Sequence, residues 1–225
     1  MIIYGKQTVL HFLERYPKRI KRFIFAKEID KKLFSRISKL NIAIERRDEK
    51  GAQGLAKGGN HQGFLAEIDE LNFAALEDLK SKEFILMLSS LNDMGNIGAL
   101  IRTALALGVD GIIISGIRDL KTETLARSSS GALFDIPIVH QHNILDAMNE
   151  LKQSNFTLYG ATLDGDDIQD LKTSGKRALV LGSEGEGLTK KIASHLDFKV
   201  TIPMANEFNS LNVNAAGAIL IHRMR

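Results

Sequence analysis

Three short polar stretches hold the side chains best suited to chemistry. The first runs from Asn92 and Asp93 through Met94, Gly95, Asn96 and Gly98 to Arg102, Thr103 and Ala104. Its spacing predicts Asn96 at the N-cap of a helix over residues 97–107, with Arg102 about a turn and two-thirds further along. Arg102 is the lone charge on a helix otherwise built mainly of Ala, Leu and Ile. Its guanidinium has to emerge where pairing or a bound anion repays its desolvation, unless it merely snorkels at the helix edge. The second stretch is Gly182-Ser183-Glu184-Gly185-Glu186-Gly187. It lacks the spacing of a phosphate-binding loop, and its two glutamates would repel phosphate. Glycines beside carboxylates suit a ligand that needs close backbone approach and carries positive charge. The third runs from Ile202-Pro203-Met204 to Ser210-Leu211-Asn212-Val213-Asn214. Ser210 reads as an N-cap, whereas Asn212 and Asn214 are poor helix formers in the first turn of an alanine-rich helix and ask for another purpose.

The surrounding pattern supplies elements to position these stretches. Nearly continuous apolar runs at residues 84–88, 111–114, 156–161, 178–181 and 198–202 read as strands. They alternate with helical patterns at 97–107, 144–152, 188–195 and 211–224. Apolar strands separated by helices predict a parallel α/β sheet covered on both faces, with ligands held where loops leave the carboxyl ends of the strands. All three polar stretches are such loops. Upstream, strands at 22–26, 42–45 and 64–68 alternate with helices at 29–40 and up to about residue 56. This gives a small α/β domain over residues 1–70, a helix-capable connector over 71–82 and a larger domain over 83–225.

Composition narrows the chemistry further. The 225 residues contain no cysteine, which removes disulfides, thiolate metal sites and a cysteine nucleophile. The six histidines form no metal-binding pair, so no metal is expected, and His140 and His142 would share a face only on a strand. No apolar run is long enough for a membrane helix and the first residues do not resemble a secretory signal, so a soluble protein without a membrane role is expected. The net charge of +3 is unevenly spread: residues 1–72 carry 15 Lys and Arg against 9 Asp and Glu. Arg15, Lys18, Arg19, Lys21 and Arg22 fall within eight residues, a cluster that suits a phosphate backbone and equally a solvated surface.

The three stretches resemble the signature motifs of the SpoU (TrmH-like) branch of the SPOUT RNA methyltransferases. An acidic residue, Asn-x-Gly and Arg-Thr/Ser-Ala correspond to Asp93, Asn96, Gly98 and Arg102-Thr103-Ala104. Gly-x-Glu-x-x-Gly corresponds to Gly182, Glu184 and Gly187, and Ile-Pro-Met with Ser-Leu-Asn-Val to residues 202–204 and 210–213. Ser130-Gly131-Ala132 and Ile136-Pro137 also fit. Met94 stands where proline is common and Asn214 where serine is usual. The first third, with Tyr4-Gly5 and His61-Gln62-Gly63, is similar to the L30e-like RNA-binding domain of the two-domain members that methylate guanosine in 23S ribosomal RNA.

The resemblance implies a SPOUT sheet with a C-terminal trefoil knot, S-adenosylmethionine as cofactor, a cytoplasmic homodimer and structured RNA as partner, ribosomal RNA ahead of transfer RNA. It implies methyl transfer to a ribose 2′-hydroxyl, with Asn96, Arg102, Glu184, Ser210 and Asn212 as the catalytic frame and Glu184 orienting Arg102 or Asn96. The cofactor would lie against Thr162, Gly182, Glu184, Gly187, Ile202, Met204 and Leu211, and RNA against Arg102 and the basic cluster. A protonated guanidinium has no lone pair with which to accept a proton, so Arg102 is expected to bind phosphate and steady the developing oxyanion. The alternatives are a base-methylating relative, a non-catalytic RNA-binding protein of the same fold, and a dinucleotide-dependent oxidoreductase, which the missing GxGxxG disfavours.

Overall fold

A computed structural model of the chain describes residues 1–206 and 211–225. Among these residues, ten strands form two sheets. In the first, β1 (Ile2–Tyr4), β2 (Ile20–Phe25), β3 (Ala43–Arg46) and β4 (Phe64–Ile68) lie in the order β1-β4-β2-β3. The two pairings made by β4 are antiparallel and the β2–β3 pairing is parallel. Helices α1 (Lys6–Arg15), α2 (Lys31–Ser38) and α3 (Glu49–Leu55) complete this unit, and a short α4 (Leu76–Leu79) follows it.

The second sheet holds β5 (Phe84–Ser89), β6 (Gly111–Ser115), β7 (Ile138–Gln141), β8 (Thr157–Asp167), β9 (Arg177–Leu181) and β10 (Phe198–Thr201). Every pairing is parallel and the order is β10-β8-β9-β5-β6-β7. The chain moves outward from β5 through β6 to β7, then returns to build the other half against the free side of β5. Loops leaving β5 and β9 therefore diverge over a crevice at adjacent carboxyl ends, the position at which such sheets bind ligands. The sheet is covered by α4, α5 (Met94–Ala106), α6 (Thr122–Ser128), α7 (Ile144–Gln153) and α9 (Val213–Met224); α8 (Lys190–Ala193) is a single turn. The apolar runs of β5, β6 and β9 are buried throughout because both faces are packed.

Two local devices shape the ligand side. Strand β8 pairs Tyr159 and Gly160 with Phe198 and Lys199, then resumes with Asp166 and Asp167 against Val200 and Thr201. Residues 161–165 are thus extruded from the ladder, and such a bulge re-aims its side chains. It closes at Gly165, where a Cβ would lie 2.6 Å from the Val200 nitrogen. Beyond β8, residues 168–177 are tied to the end of α9. Thr173 Oγ1 donates to the Met224 carbonyl at 3.3 Å and Arg177 Nε does so at 2.6 Å, while Arg223 donates to the carbonyls of Ile168 and Gln169.

The two units share one apolar core. Phe12 on α1 is fully buried and meets Phe134 edge-on at 4.7 Å between ring centroids. Asp135 draws three partners from α1 and its end: His11 at 2.6 Å, Arg15 at 2.8 Å, and the Tyr16 hydroxyl. Gly131 admits this packing, since its φ of +95° favours glycine and a Cβ would lie 2.6 Å from His11 Cδ2. Burial and the neighbouring Asp135 raise the Tyr16 phenol above its ordinary pKa.

Candidate active site

Asp93, not Asn96, caps α5: its carboxylate accepts the Asn96 backbone N–H at 2.7 Å. The expectation of Asn96 as N-cap is therefore corrected by three residues, because a carboxylate before the first turn is the better acceptor for orphan amides. Met94 becomes the first helical residue, a position where proline is tolerated. The shift leaves the Asn96 side chain available. Its Nδ2 donates to Glu184 Oε1 and its Oδ1 accepts from Asn214 Nδ2. One chain of hydrogen bonds thus ties α5, the 182–187 loop and the first turn of α9.

Asn212, rather than Ser210, caps α9, accepting the Asn214 N–H at 2.9 Å. Ser210 lies outside the described residues. The two asparagines that looked out of place in a helix have distinct duties: Asn212 starts the helix as its N-cap and Asn214 reaches across to α5. Asn214 did not stand among the expected site residues, although its low helix propensity was the signal.

The 182–187 loop is a tight turn. Ser183 and Gly187 exchange backbone hydrogen bonds at 3.2 and 3.0 Å, and Ser183 Oγ accepts the Glu186 N–H at 3.3 Å. A Cβ on Gly182 would run into the Gly187 carbonyl and lie 2.6 Å from the Leu188 nitrogen, so only glycine fits. This loop, the 161–165 bulge and the start of the third stretch enclose a cleft of about 510 Å³. Thr162, Gly182, Glu184, Gly187, Ile202, Met204 and Leu211 all line it. Leu181, Val213, Ala216 and Leu220 add an apolar wall, and Asp164, Glu184 and Glu186 bring carboxylates. Asp164 is exposed, and its carboxyl is held below the usual range by Lys199, whose ammonium lies 2.9 Å away. A larger cleft of 680 Å³ lies between the two units, around Arg19, Phe73 and Asp135, away from all three loops.

Arg102 is exposed on α5 and does not line the 510 Å³ cleft. Its Nη1 lies 3.5 Å from Ser130 Oγ, and Glu184 engages Asn96 instead of Arg102. The basic cluster is largely engaged within the protein. Arg15 pairs with Asp135, Lys21 with Asp69, and Arg22 with both Glu45 and Glu67. Arg19 lies over the rings of Phe12 and Tyr16, which leaves Lys18 without a partner among the described residues. A second basic surface, missed in the sequence, lies on α2, where Lys31, Lys32, Arg36 and Lys39 are exposed around a shallow groove beside the exposed rim of Phe34. Its signal was the spacing of these residues over two turns. Among the described residues no group of three or more His, Asp and Glu side chains is placed to hold a metal, and no helix is long and apolar enough to cross a membrane.

The sequence matches the SpoU rRNA methylase family over residues 83–222 and the RNA 2′-O ribose methyltransferase substrate-binding family over residues 2–74. It is 33% identical to the 23S rRNA (guanosine-2′-O-)-methyltransferase RlmB of Haemophilus ducreyi, over 97% of this chain and 94% of that protein. The enzyme of the same name from Yersinia pestis is 31% identical, over 98% and 94%. The fold is similar to that of the SpoU methyltransferase AviRb of Streptomyces viridochromogenes, solved in complex with AdoMet. The TM-score is 0.81 at 23% identity, over 100% of this chain and 88% of that one.

Proposed function

Because the chain belongs to the SpoU rRNA methylase family, we propose that it transfers a methyl group from S-adenosylmethionine to the 2′-hydroxyl of one ribose in structured RNA. Guanosine in large-subunit ribosomal RNA is the target that the full-length relatives support, with transfer RNA as the alternative. The observation that carries this reading is that the second and third polar loops line one cleft, while the first is tied to its rim through the Asn96–Glu184 hydrogen bond.

The cleft fits the cofactor. Its 510 Å³ falls within the roughly 300–1,000 Å³ of small-molecule sites. Glycine backbone at 182 and 187 permits close approach, and Ile202, Met204, Leu211 and Leu220 offer apolar contact. Glu184 and Glu186, unlike Asp164, which pairs with Lys199, leave negative charge for a cationic ligand. Bound S-adenosylmethionine supplies an electrophilic methyl carbon. The protein's part is to bring a ribose oxygen into line with that carbon and to keep it there, an arrangement worth several powers of ten in rate. Arg102 contributes donors that grip a phosphate and steady charge developing on the oxygen, while the proton leaves to phosphate, water or a neighbouring side chain. Asn96 and Glu184 frame the approach, and Asn212 acts by starting α9 correctly.

The first domain holds the RNA. With Arg15, Lys21 and Arg22 engaged in ion pairs and Arg36 in contact with Glu14, its phosphate contacts come chiefly from Lys18, the α2 residues Lys31 and Lys32, and Lys39 just beyond that helix. The hydrogen bonds between residues 168–177 and the end of α9 are compatible with the C-terminal knot that the family resemblance implies. A second copy of the chain, in the cytoplasm, covers the outer face of α9, where Ile219 is 43% exposed; light scattering that reads a monomer would contradict this. In Arg102→Ala, S-adenosylmethionine still binds, stability shifts by less than about 0.5 kcal/mol because the residue is exposed, and methylation is lost. Near-normal turnover in that variant would overturn the assignment.

A further inference from the structure

The chain linking Asn214, Asn96 and Glu184 has a direction, and the direction is set at its charged end. A carboxylate can only accept, so Asn96 turns its Nδ2 toward Glu184 and presents its Oδ1 to the other side. That oxygen needs a donor, and Asn214 Nδ2 supplies it. Were Asn96 reversed, its carbonyl would face the Glu184 carboxylate with no proton between them. Asn214 shows the cost of meeting this demand: its own Oδ1 is buried and lacks a hydrogen-bond partner among the described residues. An amide free to choose would satisfy that carbonyl first. Its backbone is held by Asn212, so the side chain is delivered to α5 from a fixed helix start.

We propose that Asn214 is a positioning residue for methyl transfer. It holds Asn96 in the one orientation that clamps the Glu184 carboxylate, and so places Glu184 at the rim of the 510 Å³ cleft. The consequence for turnover rests on the methyltransferase reading, but the polarity of the chain does not. A residue that merely filled space in the first turn of α9 would be indifferent to the charge at position 184. A residue acting through chain polarity is not.

The test is a double-mutant cycle of the full-length protein with N214D, E184Q and the double variant. N214D is nearly isosteric, and a carboxylate at a helix N-terminus favours the helix, so the fold survives. It cannot donate to Asn96, and Asn96 is then pulled between two carboxylates. In the E184Q background position 184 gains an amide donor, so the chain can run in the opposite sense and end on the carboxylate at 214. By calorimetry, N214D raises the dissociation constant for S-adenosylmethionine at least about tenfold against wild type, but less than about threefold against E184Q. Single-turnover methylation of RNA by N214D falls in parallel. An equal loss in both backgrounds, or no loss in either, overturns the proposal. Wild-type protein that neither binds S-adenosylmethionine nor labels RNA would instead refute the methyltransferase reading. Thermal midpoints of the four proteins would then decide the polarity, coupled midpoints supporting it and additive ones overturning it.

Discussion

Substituting Gly182 by alanine tests whether the 182–187 turn builds the cofactor site. The new Cβ would lie 2.6 Å from the Leu188 nitrogen and closer still to the Gly187 carbonyl. Carbon contacts relax at about 3.5 Å, so the backbone of one side has to move by roughly 1 Å. That movement separates Ser183 from Gly187, whose two mutual hydrogen bonds close the turn. At about 0.5–1.5 kcal/mol net for each bond, the bound arrangement loses roughly 1–3 kcal/mol. S-adenosylmethionine affinity should then fall roughly five- to 150-fold. Gly185→Ala is the control, since a Cβ there meets nothing within 4 Å although the residue belongs to the same turn. Titration calorimetry on both variants, with circular dichroism to confirm folding, decides the matter. A Gly182→Ala protein that binds like wild type, or a Gly185→Ala protein damaged to the same degree, would refute the reasoning.

Two further outcomes are expected. Replacing Lys31, Lys32 and Lys39 together by glutamine should weaken RNA binding and flatten the plot of log affinity against log salt by roughly 0.7–0.9 for each phosphate no longer neutralised, while affinity for S-adenosylmethionine stays unchanged; an unaltered slope in filter binding removes α2 from the interface. Tyr16, raised above its usual value of 10.0 by burial and Asp135, binds its proton more tightly in the folded state. Its contribution is therefore complete below the unfolded pKa and is lost as pH rises through the folded one. Thermal midpoints of wild type should fall more steeply above about pH 10 than those of Tyr16→Phe, and parallel curves would show that the contact with Asp135 carries no such linkage.

The parts legible in the sequence were those with strong local signals. Apolar runs such as residues 84–88 announced buried parallel strands, and the glycine-rich stretch at 182–187 fell at a strand end because close backbone approach needs glycine. Weak signals hid other elements. Strand β1 has three residues, and α1 overlaps the basic run that drew attention to charge instead of to the buried stripe of Thr8, Val9, Phe12 and Leu13. The helix expected over 188–195 shortens to Lys190–Ala193. The strand expected to end at 161 runs to Asp167 by way of an extruded loop, a matter of register that no single strand encodes. Capping was misplaced at both site helices for one reason: several polar residues precede each helix, and which of them meets the first amides depends on where the preceding strand releases the chain. The ion pairs that engage Arg15, Lys21 and Arg22 join residues distant in sequence, so charge counting could not see them.

The central claim is that this protein methylates a ribose oxygen. The direct test is to incubate the purified protein with methyl-labelled S-adenosylmethionine and RNA from cells lacking it, and then to map the label. Label confined to one nucleotide, at a phosphodiester that has become resistant to alkali because its 2′-oxygen is blocked, is the predicted result. Label on a base, or none in any RNA, would contradict it.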